Sequence, residues 1–145
     1  MEIFIREIEE NDYLSLLPLW SEFGGYATAE NIAPHYARIQ NDERYKTFVA
    51  LFEDEVVGFI TSVQHYIIGI EGSHMIIIGI SVKREGQGKG VGTKLIQRME
   101  SYAREKGVFS IHLNSGFKRT DAHAFYERNG YSKGSYGFGK IINPK

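Results

Sequence analysis

The stretch from Ile76 to Lys106 constrains this chain more than any other. An apolar run, Ile76-Ile77-Ile78-Gly79-Ile80-Ser81-Val82, passes into a charged, glycine-rich segment, Lys83-Arg84-Glu85-Gly86-Gln87-Gly88-Lys89-Gly90-Val91-Gly92. A long amphipathic pattern follows, with Val91, Leu95, Ile96, Met99, Tyr102 and Ala103 on one face. That succession predicts a strand, a tight loop and a helix. Gly107 is the expected C-terminal stop of the helix. The strand is apolar on both faces, which predicts a position covered on both sides in the middle of an α/β sheet.

A loop of this kind has a physical use. Glycines at alternate positions, Gly86 to Gly92, let the backbone approach a ligand without side-chain clashes. The first N–H groups of the following helix lack internal partners, and the helix dipole is positive there. Such an end takes an anion, most often a phosphate. Lys83, Arg84, Lys89 and Lys94 add charge of the same sign.

Two common phosphate motifs fail on spacing. G-x-x-x-x-G-K-[ST] would need Gly where Lys83 stands and Ser or Thr where Gly90 stands. G-x-G-x-x-G fails because Gly86-x-Gly88 is followed by Val91, and Gly88-x-Gly90 by Thr93.

The flanking segments complete an α/β pattern. Glu2 to Ile8 alternates as a first strand. Asn11 or Asp12 can cap a helix that buries Leu14, Leu17 and Trp20, kinks at Pro18 or starts near Ser15, and ends at Gly24-Gly25. A second helix runs from Thr28 to Gln40, beginning near Asn31 because of Pro34, with Ile32, Tyr36 and Ile39 on one side. Thr47–Phe52 and Val56–Tyr66 form a hairpin turning at Glu53-Asp54-Glu55, and Ile68–Ser73 reads as a loop. Val108 to Asn114 alternates Phe109, Ile111 and Leu113 with Ser110, His112 and Asn114. With the preceding strand and helix it makes a βαβ unit of right-handed crossover. A helix holds Ala122 and Phe125-Tyr126 and stops at Gly130, and Tyr136, Phe138, Lys140 and Ile142 mark a final strand.

At 145 residues the chain reads as one domain, long enough to bury about two-thirds of its unfolded surface. It has no cysteine, hence no disulfide and no thiolate ligand or nucleophile. His35, His65, His74, His112 and His123 show no close ligand spacing, so no metal is expected. No apolar run is long enough to span a bilayer, and Met1-Glu2-Ile3-Phe4 does not resemble a signal peptide. A soluble cytoplasmic protein is expected. A net charge of −1 argues against general nucleic-acid binding. Residues 1–60 carry 12 acidic and 4 basic side chains, and residues 61–145 carry 6 and 13. The basic half holds the phosphate loop; the acidic half either attracts a cationic amine or is merely solvated.

Two segments together resemble a known family. Gln87-x-x-Gly90-x-Gly92, directly after a strand ending in Val82, resembles the coenzyme A pyrophosphate loop of the GNAT N-acetyltransferase family. Ala122-x-x-Phe125-Tyr126-x-x-x-Gly130-Tyr131 resembles that family's second signature. The resemblance covers nearly the whole chain. It implies a GNAT-like mixed central β-sheet flanked by helices, in a single N-acetyltransferase domain over residues 1–145. It implies acetyl-CoA as co-substrate and a primary amine, on a small molecule or a peptide, as acceptor; a homodimer is compatible with it.

The resemblance also assigns roles. Ile80, Ser81 and Val82 would pair their backbone with the pantetheine arm, and Gln87, Gly88, Lys89, Gly90, Val91 and Gly92 would hold the pyrophosphate. An N–H near Val82 would polarise the thioester carbonyl. Tyr126 stands where the family places the general acid, and a phenol with a pKa near 10 holds its proton at neutral pH. The usual Asn three residues before the signature Ala is Arg119 here, which could reach a phosphate instead or only stabilise the loop. The helix pair near the N-terminus would wall the acceptor pocket, making Glu22, Tyr26 and His35 candidate contacts. Many members carry a Glu near the position of Ile78 and Gly79; this chain has no carboxylate between His74 and Val82. The base is left open among a water chain, His74, His112 and Glu22. A rival reading keeps the loop without the chemistry, as a CoA-binding regulatory or sensor module.

Overall fold

The computed structural model describes residues 2–20 and 28–144. The chain divides into two compact units, Met1–Leu113 and Asn114–Lys145.

The first unit is built on a five-stranded sheet in sequence order. Its strands are β1 (Phe4–Glu7), β2 (Tyr45–Phe52), β3 (Glu55–Ile67), β4 (Ile70–Val82) and β5 (Val108–Leu113). The first four run antiparallel to their neighbours, and β5 lies parallel to β4. The parallel step needs a crossover, supplied by a helix, α3 (Val91–Glu105). The expected α/β class and mixed central sheet flanked by helices are what the chain adopts. The β2–β3 turn is Glu53-Asp54, both at positive φ (50° and 65°), which suits the twist of a two-residue hairpin.

Each face of the sheet has its own cover. Phe48, Ile60, Met75 and Ile77 lie on one face, which α3 closes with Leu95, Ile96 and Met99; all of these side chains are buried. Ser62 Oγ donates to Met99 Sδ at 3.3 Å, and the Phe48 and Tyr102 rings meet edge to face at 5.9 Å. On the other face Val49, Val56 and Phe59 pack with Leu16 and Leu19. Leu16 closes a 3-10 helix, Glu10–Leu16, that runs directly into α1 (Leu17–Trp20). A second helix, α2 (Ile32–Gln40), starts after Asn31 as expected and buries Ile32.

Four expectations are corrected. The buried residues of the first helical segment are Leu16 and Leu19, while Leu14 is exposed. The expected and observed sets share a three-residue step and differ in phase, because the face that meets Val49 and Phe59 is the one bearing Leu16 and Leu19. Ile68–Ser73 is not a loop, because β3 and β4 form a long hairpin turning at Ile68-Gly69, with Gly69 at φ 85°. The middle of β4 is not covered on both faces, since Ile76 and Ile78 are 36 % and 47 % exposed. Last, Tyr136, Phe138, Lys140 and Ile142 form no strand, and residues 131–140 carry no regular structure. A strand needs a ladder partner as well as an alternating pattern, and the pattern alone does not supply one.

The second unit holds α4 (Thr120–Arg128). It ends as a Schellman motif: Tyr131 N–H donates to the Tyr126 carbonyl at 3.0 Å, Gly130 N–H donates to that of Glu127 at 3.1 Å, and Gly130 has φ 91°.

Candidate functional site

The site in the first unit begins where β4 outlasts β5. Pairing between the two stops at Ile77 and Leu113, yet β4 continues to Val82 along β3. Just past the last β5 partner the β3 register slips between Thr61 and Ser62, which leaves Ile78 as the extra residue of a bulge. Beyond it Ile80, Ser81 and Val82 face Ile60, Phe59 and Gly58. Lys83 N–H donates to the Val57 carbonyl at 2.8 Å, so residue 83 bonds toward β3. Backbone groups alternate in direction along a strand, so the N–H groups of Val82 and Ile80 aim at the opposite edge. That is the edge β5 has left.

Side chains fix this stretch from below. Ser81 is buried, and its hydroxyl donates to the Leu19 carbonyl at 3.3 Å. A Cβ on Gly79 would stand 3.2 Å from the Trp20 ring, which itself stacks at a tilt on Phe59 at 5.0 Å. The strand edge is therefore presented by a packed support.

The loop after β4 sorts its glycines into two kinds. Gly86 closes a short 3-10 turn, Arg84–Gly86, and is buried; a Cβ there would meet Val82 Cγ1 at 3.1 Å. Gly88 and Gly90 have φ 74° and 82°, and a Cβ on either would meet nothing within 4 Å. These two leave an open cradle beside left-handed backbone. Gly90 is the N-cap of α3, and its carbonyl already accepts from Lys94 N–H at 3.0 Å. The N–H groups of Val91, Gly92 and Thr93 have no intrahelical acceptor at that end. The Val91 side chain is buried in the core, so only its backbone faces the loop. Gln87 Nε2 donates to the Val82 carbonyl at 3.0 Å and ties the loop back to the strand end. Lys89 is exposed at the loop tip. Ile80 to Gly92 thus run from the free strand edge through the loop into the N-terminus of α3.

Tyr126 and Arg119 belong to the second unit. The Tyr126 ring is half-buried between Phe125 at 5.4 Å and Tyr131 at 6.5 Å, both edge to face. The Tyr131 contact is the apolar clasp that accompanies the helix stop. Burial pushes the Tyr126 phenol above its usual range, and the nearby Arg119 charge offsets only part of that. Arg119 precedes α4, and its N–H donates to the Gly116 carbonyl at 3.1 Å. His123 Nε2 lies 2.8 Å from the same carbonyl. A carbonyl can only accept, so that nitrogen carries the proton.

Of the candidate acceptor contacts, His35 is exposed on α2, whereas Glu22 and Tyr26 lie outside the described residues. His74 and His112 come together on the α1-side face of the sheet. His74 Nδ1 is 2.9 Å from Ser110 Oγ, and Ser110 Oγ is 3.0 Å from His112 Nε2. His65 joins them across the hairpin, with its ring centroid 6.0 Å from that of His74. Sequence reasoning passed over His65 and Ser110. Strand alternation alone puts Ser110 and His112 on one face, but only the register brings them to His74.

The model of the acetyltransferase (GNAT) family matches residues 6–131. An uncharacterized N-acetyltransferase of Bacillus subtilis, YhdJ, is 26 % identical over 134 residues, covering 92 % of this chain and 94 % of that protein. The aminoalkylphosphonate N-acetyltransferase of Salmonella typhimurium is 32 % identical over 96 residues, 65 % of this chain and 61 % of that protein. Among solved structures, a transcriptional regulator from Bacillus halodurans superposes with a TM-score of 0.89. It is 22 % identical and covers 97 % of this chain and 100 % of its own.

Proposed function

The chain belongs to the acetyltransferase (GNAT) family, and on that premise we propose that it moves an acetyl group from acetyl-CoA to a primary amine by direct attack in a ternary complex. One observation carries the reading. A strand edge with outward N–H groups leads without a break into a left-handed glycine cradle and the N-terminus of a 15-residue helix. The edge suits the amide-bearing pantetheine arm, and the cradle suits two phosphates. A single catalytic domain over residues 1–145 and a cytoplasmic setting belong to the same reading.

The residues then take these roles. The backbone of Ile80, Ser81 and Val82 aligns the arm, and the Val82 N–H polarises the thioester carbonyl. Gln87, Gly88, Lys89, Gly90, Val91 and Gly92 hold the pyrophosphate, and Arg119 meets a phosphate in place of the usual Asn. The amine nitrogen attacks the carbonyl carbon, the N–C bond forms and the C–S bond breaks. Tyr126 gives its phenolic proton to the departing thiolate, and a base takes one from the amine. Holding both reactants together supplies much of the rate. Similarity to an enzyme named for aminoalkylphosphonates favours a small-molecule amine over a peptide.

Thermal unfolding with acetyl-CoA, beside an unrelated nucleotide, tests the cofactor half. A ligand at 100 times its Kd adds about 2.7 kcal/mol, a rise of several degrees for a chain this size. Thiol release with a panel of primary amines tests the transfer. A selective thermal rise with no thiol release would favour the sensor reading. No rise at millimolar acetyl-CoA would sink both.

A further inference from the structure

No carboxylate lies between His74 and Val82 on β4, yet the amine must lose a proton. Three imidazoles and a hydroxyl gather on the α1-side face of the sheet, all within the first unit. His74 is only 5 % exposed, and its Nδ1 lies 2.9 Å from Ser110 Oγ. Ser110 Oγ lies 3.0 Å from Nε2 of His112, which is exposed. The chain therefore runs from a surface imidazole to a buried one through one hydroxyl. His112 stands opposite Ile76, one pair before β5 leaves β4 and the strand edge opens. Two buried nitrogens, His74 Nε2 and His65 Nδ1, have no hydrogen-bond partner among the described residues. Buried polar atoms without partners are uncommon and call for a reason.

His74 also meets the Phe109 ring edge to face at 5.8 Å, and its strand neighbours carry no charge. The register partners of His74, Met75, Ile76 and Ile77 are His65, Gln64, Val63 and Ser62 on β3, and Ser110, Ile111, His112 and Leu113 on β5. None is a carboxylate or an ammonium. The one charged residue nearby on β4, Glu71, is exposed. Among the described residues the imidazoles do not group as metal ligands.

Resting on the transferase reading, we propose that His112 is the general base of this enzyme and that Ser110 and His74 position it. In the productive arrangement His112 Nε2–H donates to Ser110 Oγ, and Ser110 O–H donates to His74 Nδ1. His112 Nδ1 is then a bare acceptor at the open end. It takes the amine proton, directly or through one water, as the N–C bond forms, while Tyr126 protonates the thiolate. His112 returns its proton to solvent, to which it is exposed. The logic is that of a base held in one tautomer by a third group.

The test uses the full chain, acetyl-CoA, and whichever of 2-aminoethylphosphonate, spermidine and a peptide N-terminal amine wild type acetylates fastest. General bases contribute about 10² to 10⁴-fold, so His112→Ala should lower kcat by at least about a hundredfold. Added imidazole should restore part of it, which it would not do for a merely structural residue. Ser110→Ala should lower kcat about tenfold and move the acid limb of the pH profile, and Ser110→Thr, which keeps the hydroxyl, should recover both. Each variant should keep the wild-type thermal rise with acetyl-CoA. Wild-type kcat and pH profile in His112→Ala and Ser110→Ala would overturn the relay and leave the transferase intact. Loss of kcat in His112→Ala with no imidazole rescue and no change of pH profile would overturn it too. No thiol release by wild type with any of the three amines would overturn both.

Discussion

Gly58 lies so close beneath Ser81 that a Cβ added to it would stand 2.9 Å from the Ser81 carbonyl oxygen. The opposing group is backbone, which cannot swing aside as a side chain can. The same Cβ would also press on Leu95 Cδ1 at 3.3 Å. Gly58→Ala should therefore shift β4 over the stretch assigned to the pantetheine arm. Overpacking of this kind costs about 1 to 3 kcal/mol. The expected result is a melting temperature lowered by several degrees and a raised KM for acetyl-CoA. An unchanged melting temperature would mean that β4 accommodates the methyl without cost.

Gly90 separates backbone conformation from packing. Its φ is 82°, and a Cβ there would meet nothing within 4 Å. Gly90→Ala carries no steric clash, only the left-handed penalty of roughly 1 to 2 kcal/mol. Its methyl also enters the open cradle. Stability should fall by that amount in a denaturant titration, and the KM for acetyl-CoA should rise at least about tenfold. Gln87→Ala is the contrast. It removes one exposed hydrogen bond to Val82, worth about 0.5 to 1.5 kcal/mol, so KM should rise a few-fold with little thermal change. Equal effects of the two variants on KM would argue against the cradle.

Much of this was legible because periodicity and glycine placement carry real constraints. The run from Ile76 to Val82, the glycines at 88 and 90 and the stripe from Val91 to Ala103 announced strand, loop and helix. What escaped was whatever depends on register. A bulge at Ile78 leaves no mark on composition, although it marks the place where β4 parts from β5. Gly69 and Gly72 looked like loop residues, but one turns a hairpin and the other sits inside a strand at φ 83°. Leu16 and Leu19 share the three-residue step of Leu14 and Leu17, so spacing alone does not say which set meets the sheet. His65, His74, Ser110 and His112 are scattered in sequence and meet only through two strand pairings. The alternation from Tyr136 to Ile142 gives a face but no partner.

Arg6 and Asp12 make the first unit sensitive to acid. Arg6 Nη1 and Nη2 hold the two Asp12 oxygens at 2.7 and 3.1 Å, and Glu9 N–H donates to Oδ2 at 2.7 Å. Burial raises the Asp12 pKa, but the Arg6 and Glu9 hydrogen bonds outweigh it, and the net shift is downward. A depressed folded-state pKa gives stability that is present above the unfolded value, near 3.9, and lost as pH falls through the folded one. Asp12→Ala removes the partner of a half-buried guanidinium, and hydrogen bonds to charged groups are worth about 1.5 to 3 kcal/mol. The variant should melt several degrees lower at pH 7, and the gap should narrow as pH falls below about 4. A gap that stays constant into acid would assign the loss to packing.

Tyr126 tests the acid without disturbing the helix that bears it. Its ring sits between Phe125 and Tyr131, and its carbonyl takes part in the stop at Gly130. Tyr126→Phe keeps the ring and the backbone and removes only the hydroxyl. Melting temperature and KM for acetyl-CoA should stay near wild type. If the phenol protonates the thiolate, kcat should fall about 10² to 10⁴-fold. Burial raises the pKa of this phenol, so wild-type activity should not decline through its loss of a proton until pH passes above its usual value near 10. A thioester with a more acidic leaving thiol needs less help and should narrow the gap between wild type and variant. An equal deficit for both thioesters would remove Tyr126 from the leaving-group step, and an unchanged kcat would remove it from catalysis.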